Sequence, residues 1–175
     1  MDSPNSKEQY IIEIYDKYYL YVYRFLICFS GNRNDAEDMT QEVFIRVLNN
    51  LSDLNRANNI KTWILSIAKH IAIDHYRKKR FSTIFSEGFF KQIKGKSKDP
   101  NDEIQENEMK TILHKAISNL KPYLRAVVIL RGINELSIKE ASDILQCSET
   151  KVKVDYHRAL KILKTKLHID VEEVI

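Results

Sequence analysis

An all-α protein, built as two small helical blocks joined by a charged linker, is the fold class this sequence predicts. Three observations carry the prediction. Apolar residues recur at steps of three and four over long stretches, the spacing of buried helix faces. Only four Gly and three Pro occur in 175 residues, too few for a turn-rich all-β design. Helix-start signals stand ahead of several of the periodic stretches, the clearest being the capping box Ser137-Ile138-Lys139-Glu140.

The first periodic stretch runs from about Tyr10 to Phe29 and is dense in aromatics. Ile11, Tyr15, Tyr18, Val22, Phe25 and Phe29 form its inward stripe. Gly31 stops that helix, and Asn34 is placed to cap the next, with Asp35, Glu37 and Asp38 suited to the positive end of its dipole. In this second helix Ala36, Thr40, Val43 and Val47 turn inward. The opposite face carries Asp38, Gln41, Glu42, Ile45 and Asn49. Acidic groups around an apolar Ile45 suit a protein contact, although a plain polar face has the same spacing.

Asn55-Arg56-Ala57-Asn58-Asn59 is a polar loop, and it feeds the segment Lys61–Arg80. Ile60, Ile64, Ile67 and Ile71 give that segment a buried stripe. Its six Lys/Arg (Lys61, Lys69, Arg77, Lys78, Lys79, Arg80) against Asp74 make it locally +5. With the chain's only Trp, Trp63, at its start and Tyr76 toward its end, it fits either a core helix with a solvated basic end or a grip for phosphates and unstacked bases. Regularity is lost after Phe81. Residues 82–108 turn acidic (Asp99, Asp102, Glu103, Glu106, Glu108) and read as a linker that becomes helical near Glu103. The blocks so defined are 8–81 and 109–170.

In the second block Ile112, Leu113, Ala116, Ile117 and Leu120 mark one helix, Pro122 opens the next, and Gly132 closes it. The capping box starts a short helix with Ile138, Ala141, Ile144 and Leu145 buried. Gln146-Cys147-Ser148 is a tight connection, with Ser148 as a fresh cap for a final helix running past Leu163. Two short helices joined so tightly form a helix-turn-helix outline. On the final helix Val152, Tyr156, Ala159 and Leu163 turn inward. Thr150, Val154, His157 and Lys161 turn outward, flanked by Lys151, Lys153 and Arg158. Cations at the entry end of such a helix reach base edges and phosphates in a major groove; a trihelical packing unit with a basic exterior is the competing reading.

Composition narrows the function classes. The net charge of +4 permits a nucleic-acid partner without demanding one. Cys28 and Cys147 are far apart and imply neither a zinc site nor a disulfide framework. The polar start, Met1–Ser6, lacks signal-peptide order, and the apolar segment Tyr18–Phe29 is broken by Arg24 and too short to span a bilayer. A cytoplasmic protein with no membrane insertion is expected. His70, His75, His114, His157 and His168 show no metal-ligand spacing, and no nucleophile or phosphate-binding glycine motif is visible. No enzymatic activity, metal or cofactor is expected.

The ordered motifs resemble those of the extracytoplasmic-function (ECF, group 4) sigma factors of bacterial RNA polymerase. Asp35 through Phe44 is similar to the family's DAEDLxQEVF, Lys61 through His70 to its xTWLxxIARN, and Ala72 through Arg80 to its AIDxxRRxxR. Val128–Arg131, Leu136–Ala141, Val152-Lys153 and His157-Arg158-Ala159 match its C-terminal domain. The resemblance implies a promoter-directing subunit of RNA polymerase. It implies that Asp38, Gln41, Glu42 and Ile45 grip the β′ clamp coiled coil, and that the second domain meets the β flap. It also implies that Asn55, Arg56, Asn58, Lys61 and Trp63 read and help open the −10 element, with Lys69, His70, Arg77 and Arg80 holding backbone nearby. Thr150, Lys151, Lys153, Val154, His157 and Arg158 would read the −35 element as duplex. The acidic linker would thread toward the RNA-exit path, and an anti-sigma factor, often membrane-tethered, would cover these surfaces.

The chain departs from the family pattern at three places. The family usually has Asn where His70 stands, and Gly in the turn where Gln146 stands, so a positive φ there costs more. The common KSR of the recognition helix becomes Lys153-Val154-Asp155, and a carboxylate at Asp155 cannot hold a phosphate. An autonomous helix-turn-helix regulator is the alternative function. Such a protein has no need for the Asp38/Gln41/Glu42 face or for a Trp-led basic helix before an acidic linker.

Overall fold

The computed structural model describes residues 4–89 and 108–167, with side chains over 7–83 and 110–167. The described elements are helical throughout: α1 (Pro4–Ser30), α2 (Arg33–Asn49), α3 (Leu51–Arg56), α4 (Ile60–Phe89), α5 (Glu108–Ser118), α6 (Pro122–Val128), α7 (Ile138–Leu145) and α8 (Glu149–Leu167).

Helices α1, α2 and α4 pack together around Val22, Phe25, Leu26, Val43, Ile64 and Leu65, all fully buried. Each such side chain contributes about 1.5–3 kcal/mol by leaving water. Tyr15 is 45% exposed despite its place in the periodic stripe, because its ring covers the edge of Phe44 at 4.7 Å rather than entering the core. Gly31, at φ +67°, turns the chain out of α1. The cap of α2 is Asn32 and not Asn34: its side-chain oxygen accepts from the Asp35 N–H at 2.9 Å, so the helix starts two residues earlier than the sequence signals place it. Glu37 is thereby freed to pair with Arg33 at 2.8 Å. Helix α4 continues to Phe89, past the loss of regularity expected after Phe81. The expected helix start near Glu103 lies outside the described residues.

The second block packs α6 and α7 against α8. Pro122 does open α6. Gly132 does not close it: the helix widens into a π turn over Ile129–Ile133, carrying the chain through Gly132 to Asn134. A Cβ on Gly132 would lie 3.3 Å from the Tyr156 hydroxyl, so the small residue admits the tyrosine. Ile112 and Leu113 stay 44% and 39% exposed, whereas Ala116, Ile117 and Leu120 of the same stripe are buried. The capping box forms reciprocally, with Ser137 N–H to Glu140 at 2.8 Å and Glu140 N–H to Ser137 Oγ at 3.1 Å. Gln146 ends α7 in the left-handed conformation (φ 54°), and Ser148 Oγ caps α8 by accepting from the Lys151 N–H at 3.2 Å.

The blocks meet along α1 and α4 of the first and α5, α6, α7 and the π turn of the second. Arg125 anchors the joint. Only 5% exposed, its guanidinium donates to the carbonyls of Phe29 (2.9 Å), Leu120 (3.2 Å) and Ser118. One cation thus caps the negative ends of α1 and α5 together. It lies between the rings of Phe29 and Tyr76, 5.0 and 5.1 Å from their centroids. Asn134, also buried, donates to the Tyr21 carbonyl at 2.9 Å.

Candidate polymerase and nucleic-acid interfaces

The outer face of α2 is built by the helix period itself. Ala36, Met39, Thr40, Val43, Phe44 and Val47 fill the core, which leaves Asp38, Gln41, Glu42 and Ile45 outward and exposed. Ile45 is 56% exposed and Leu48, a residue the sequence reading passed over, is 42% exposed. Glu42 is bridged by Arg46 at 2.6 Å. An apolar centre flanked by carboxylates and an amide suits a basic or amide-rich partner helix.

Asn59 fixes the entry of α4. Its side-chain oxygen accepts from the Thr62 N–H at 3.2 Å, and its carbonyl from the Thr62 hydroxyl at 3.0 Å. The polar loop expected over 55–59 is shorter than that: Asn55 and Arg56 form the last turn of α3 and only Ala57 to Asn59 connect it to α4, with Asn55, Arg56 and Asn58 exposed and Trp63 half-buried beside them. Loop and α7 face each other across a cleft of about 620 Å³, with Asn58, Asn59, Thr62, Trp63 and Ser66 on one wall and Ser137, Lys139, Glu140 and Asp143 on the other. Lys61 also links α4 to α7, its ammonium 2.7 Å from Glu140 and 5.5 Å from the Tyr21 ring centroid. Burial works against the Glu140 charge, but the Lys61 ammonium and the Ser137 hydrogen bonds prevail and hold its carboxyl below the ordinary range.

The basic positions of α4 are not equivalent. Lys69 is only 7% exposed, and burial lowers its pKa; a DNA contact through it requires the two blocks to part. His70 is exposed, with its Nδ1 2.7 Å from the Ser66 carbonyl. Arg77 and Arg80 are exposed, Arg77 lying 3.9 Å from Asp74. Lys79 turns back to Asp35 at 2.9 Å, with His75 3.7 Å from the same carboxylate, so part of the basic tail braces α2.

On α8, Val152, Asp155, Ala159 and Leu163 are buried, and Thr150, Lys151, Lys153, Val154, His157 and Arg158 are all exposed. Val154 is 60% exposed, the apolar member of a polar face. Asp155 faces inward at 7% exposure and holds Lys151 at 2.6 Å, while Lys151 also lies 4.8 Å from the Tyr123 ring centroid. Asp155 therefore offers no carboxylate to DNA, and Lys151 is held against its own helix. Burial, reinforced by the neighbouring Cys147 (Oη to Sγ 3.4 Å), pushes the Tyr123 phenol up. The sequence reading missed Arg125, Asn134 and Glu140 as joint residues. An Arg inside the apolar run Leu124–Leu130 was the available signal.

Family models match both helical blocks. Residues 14–82 match Sigma-70 region 2, and residues 110–163 match Sigma-70, region 4. The ECF RNA polymerase sigma factor SigX of Bacillus subtilis is 35% identical over 166 residues, spanning 93% of this chain and 86% of that protein. The chain belongs to the ECF sigma factors. SigW of the same organism is 32% identical, over 90% of this sigma factor and 87% of its relative. Among solved structures, the sigma factor RpoE in complex with the anti-sigma factor NepR from Bartonella quintana matches this sigma factor with a TM-score of 0.70 at 22% identity, covering 93% of this chain and 97% of that one. CnrH in complex with the cytosolic domain of CnrY gives 0.68 at 18% identity, over 93% and 90%. At those identities the likeness is one of fold. Among the described residues no helix is long and apolar enough to cross a membrane.

Proposed function

We propose that this sigma factor divides its work among three surfaces. The α2 face of Asp38, Gln41, Glu42 and Ile45 docks on the β′ clamp coiled coil, and the second block on the β flap. The end of α3 at Asn55 and Arg56 and the turn at Asn58, with Lys61 and Trp63, take the −10 element as single strand. Stacking and a polar rim suit unstacked bases, and His70, Arg77, Arg80 and, once the blocks part, Lys69 attract the backbone. The outer face of α8 takes the −35 element as duplex: Lys153 and Arg158 supply cations, His157 a ring nitrogen, Thr150 a hydroxyl, and Val154 a surface for a thymine methyl. Residues 8–81 and 109–170 form the two working domains.

The observation that carries this reading is the separateness of the surfaces. The α2 face and the α8 face are both exposed and both chemically distinct, one acidic and apolar, the other basic. An autonomous operator-binding regulator leaves the α2 face without a role. An anti-sigma factor is a further proposed partner, supported by the complex of RpoE with the anti-sigma factor NepR. Run-off transcription with purified core polymerase on promoters selected by the bound complex tests the whole assignment. Transcripts that depend on this chain are expected. Tight operator binding by the free chain with no transcript from any selected promoter rejects it.

A further inference from the structure

Lys151 is the third residue of α8, at the positive end of the helix, where a cation is electrostatically ill placed. Its ammonium lies 2.6 Å from Asp155 and 4.8 Å from the Tyr123 ring centroid. Lys153 and Arg158, on the same helix, have no such holder among the described residues. We propose that Asp155 is a positioning residue that withholds Lys151 from DNA, so that the α8 face meets duplex with one phosphate contact fewer than its cations allow. The proposal rests on the reading of that face as the −35 surface.

The pair differs from an ordinary surface bridge. On α7, Lys139 and Asp143 have the same spacing but stand 3.7 Å apart, and both side chains are exposed. Such a pair holds neither partner firmly, because water competes for both. The Asp155 side chain is only 11% exposed, so water supplies little of what its charge needs. Tyr123 lies beside it, and burial, with Cys147 and Asp155 close by, pushes that phenol up, which keeps its hydroxyl a donor. Cation, carboxylate and phenol thus form one closed set between α8 and α6. A phosphate that takes Lys151 must leave a buried carboxylate without its counter-ion. That cost sets Lys151 apart from Lys153 and Arg158, which give up only water.

The full chain is compared with Asp155→Asn, which keeps the side-chain shape and removes the charge, with Lys151→Ala, and with the double variant. Binding of a fluorescein-labelled random duplex is read by anisotropy over a salt series, and each melting midpoint is recorded. Asp155→Asn should bind about threefold tighter at low salt, with a slope of log K against log salt steeper by about 0.9, one added phosphate contact. Lys151→Ala alone should lower the melting midpoint, by stranding the carboxylate, and leave the slope unchanged. In the double variant the slope should return to the parent's value. A slope that flattens in Lys151→Ala alone means that Lys151 already reaches phosphate, and overturns the proposal. Lys151 is exposed, so this arm decides independently of how Asp155→Asn folds. Equally tighter binding by Asp155→Asn and the double variant also overturns it, since that is only the loss of a negative charge. So does an unchanged slope in Asp155→Asn. Lys153→Ala/Arg158→Ala is the reference: if it too leaves the slope at the parent's value, the −35 assignment of α8 fails instead.

Discussion

Arg125 in the second block donates to the carbonyl of Phe29 in the first at 2.9 Å and stacks on the same residue's ring at 5.0 Å. One side chain thus satisfies the end of α1 and attaches a separate helical block to it. Arg125→Ala leaves buried carbonyls of Phe29 and Leu120 unpaired and opens a void between Phe29 and Tyr76. The expected loss is about 3 kcal/mol, measured by urea unfolding. A loss under about 0.5 kcal/mol, the size of an ordinary surface change, removes Arg125 from its place as anchor.

Because Asp38 and Gln41 are exposed, replacing both with Ala is expected to leave helical content and unfolding midpoint unchanged. Affinity for core polymerase should fall about tenfold, equivalent to about 1.4 kcal/mol. Equal affinity of parent and variant in a titration of core enzyme would withdraw the clamp assignment.

Lys153 and Arg158 are exposed cations of the α8 face that, unlike Lys151, no carboxylate among the described residues holds. Lys153→Ala/Arg158→Ala should weaken duplex binding across all sequences. The slope of log K against log salt should flatten by about 0.9 for each phosphate contact removed. A slope that does not move places both residues away from the phosphates. Val154→Ala, tested alongside, should leave the slope intact and reduce preference between thymine and deoxyuridine at one position.

Gln146 holds φ 54° where a Cβ is disfavoured. Gln146→Gly should stabilise the second block by about 1 kcal/mol, since it relieves that strain at an exposed site with no buried contact to lose. Differential scanning calorimetry checks the sign. A lowered midpoint means that the Gln side chain contributes more than its backbone costs.

Burial pushes the Cys28 thiol up to about 11. The folded state therefore favours the neutral form. This contribution is fully present below the ordinary thiol value of 9.0 and is lost as pH rises through about 11. Iodoacetamide at pH 8 should label the half-buried Cys147 and spare Cys28 until the chain is unfolded, read by peptide mass spectrometry. Equal labelling of the two in the folded protein contradicts the burial of Cys28.

The longer helices and the outward faces of α2 and α8 were legible from spacing, because a helix's period assigns each residue a direction once the apolar set is known. Tyr15, Ile112 and Leu113 of the expected inward stripes stay exposed, however, and α3 stands partly where a loop was expected. Asp38, Gln41, Glu42 and Ile45, and Thr150, Lys151, Lys153, Val154, His157 and Arg158, are exposed where that rule puts them, while the burial of Asp155 was not legible from it. The boundaries were less legible. Asn32 and Asn34 are both plausible caps, and only the backbone hydrogen bond from Asp35 selects between them. What tertiary structure alone decided is how the two blocks meet. Lys61 and Lys69 belong to one basic run, yet one pairs with Glu140 of α7 and the other is buried. No local period encodes a partner some eighty residues away. That choice follows from which helix ends, carbonyls and rings need satisfying at a shared surface, and Arg125, Asn134 and Glu140 answer it together.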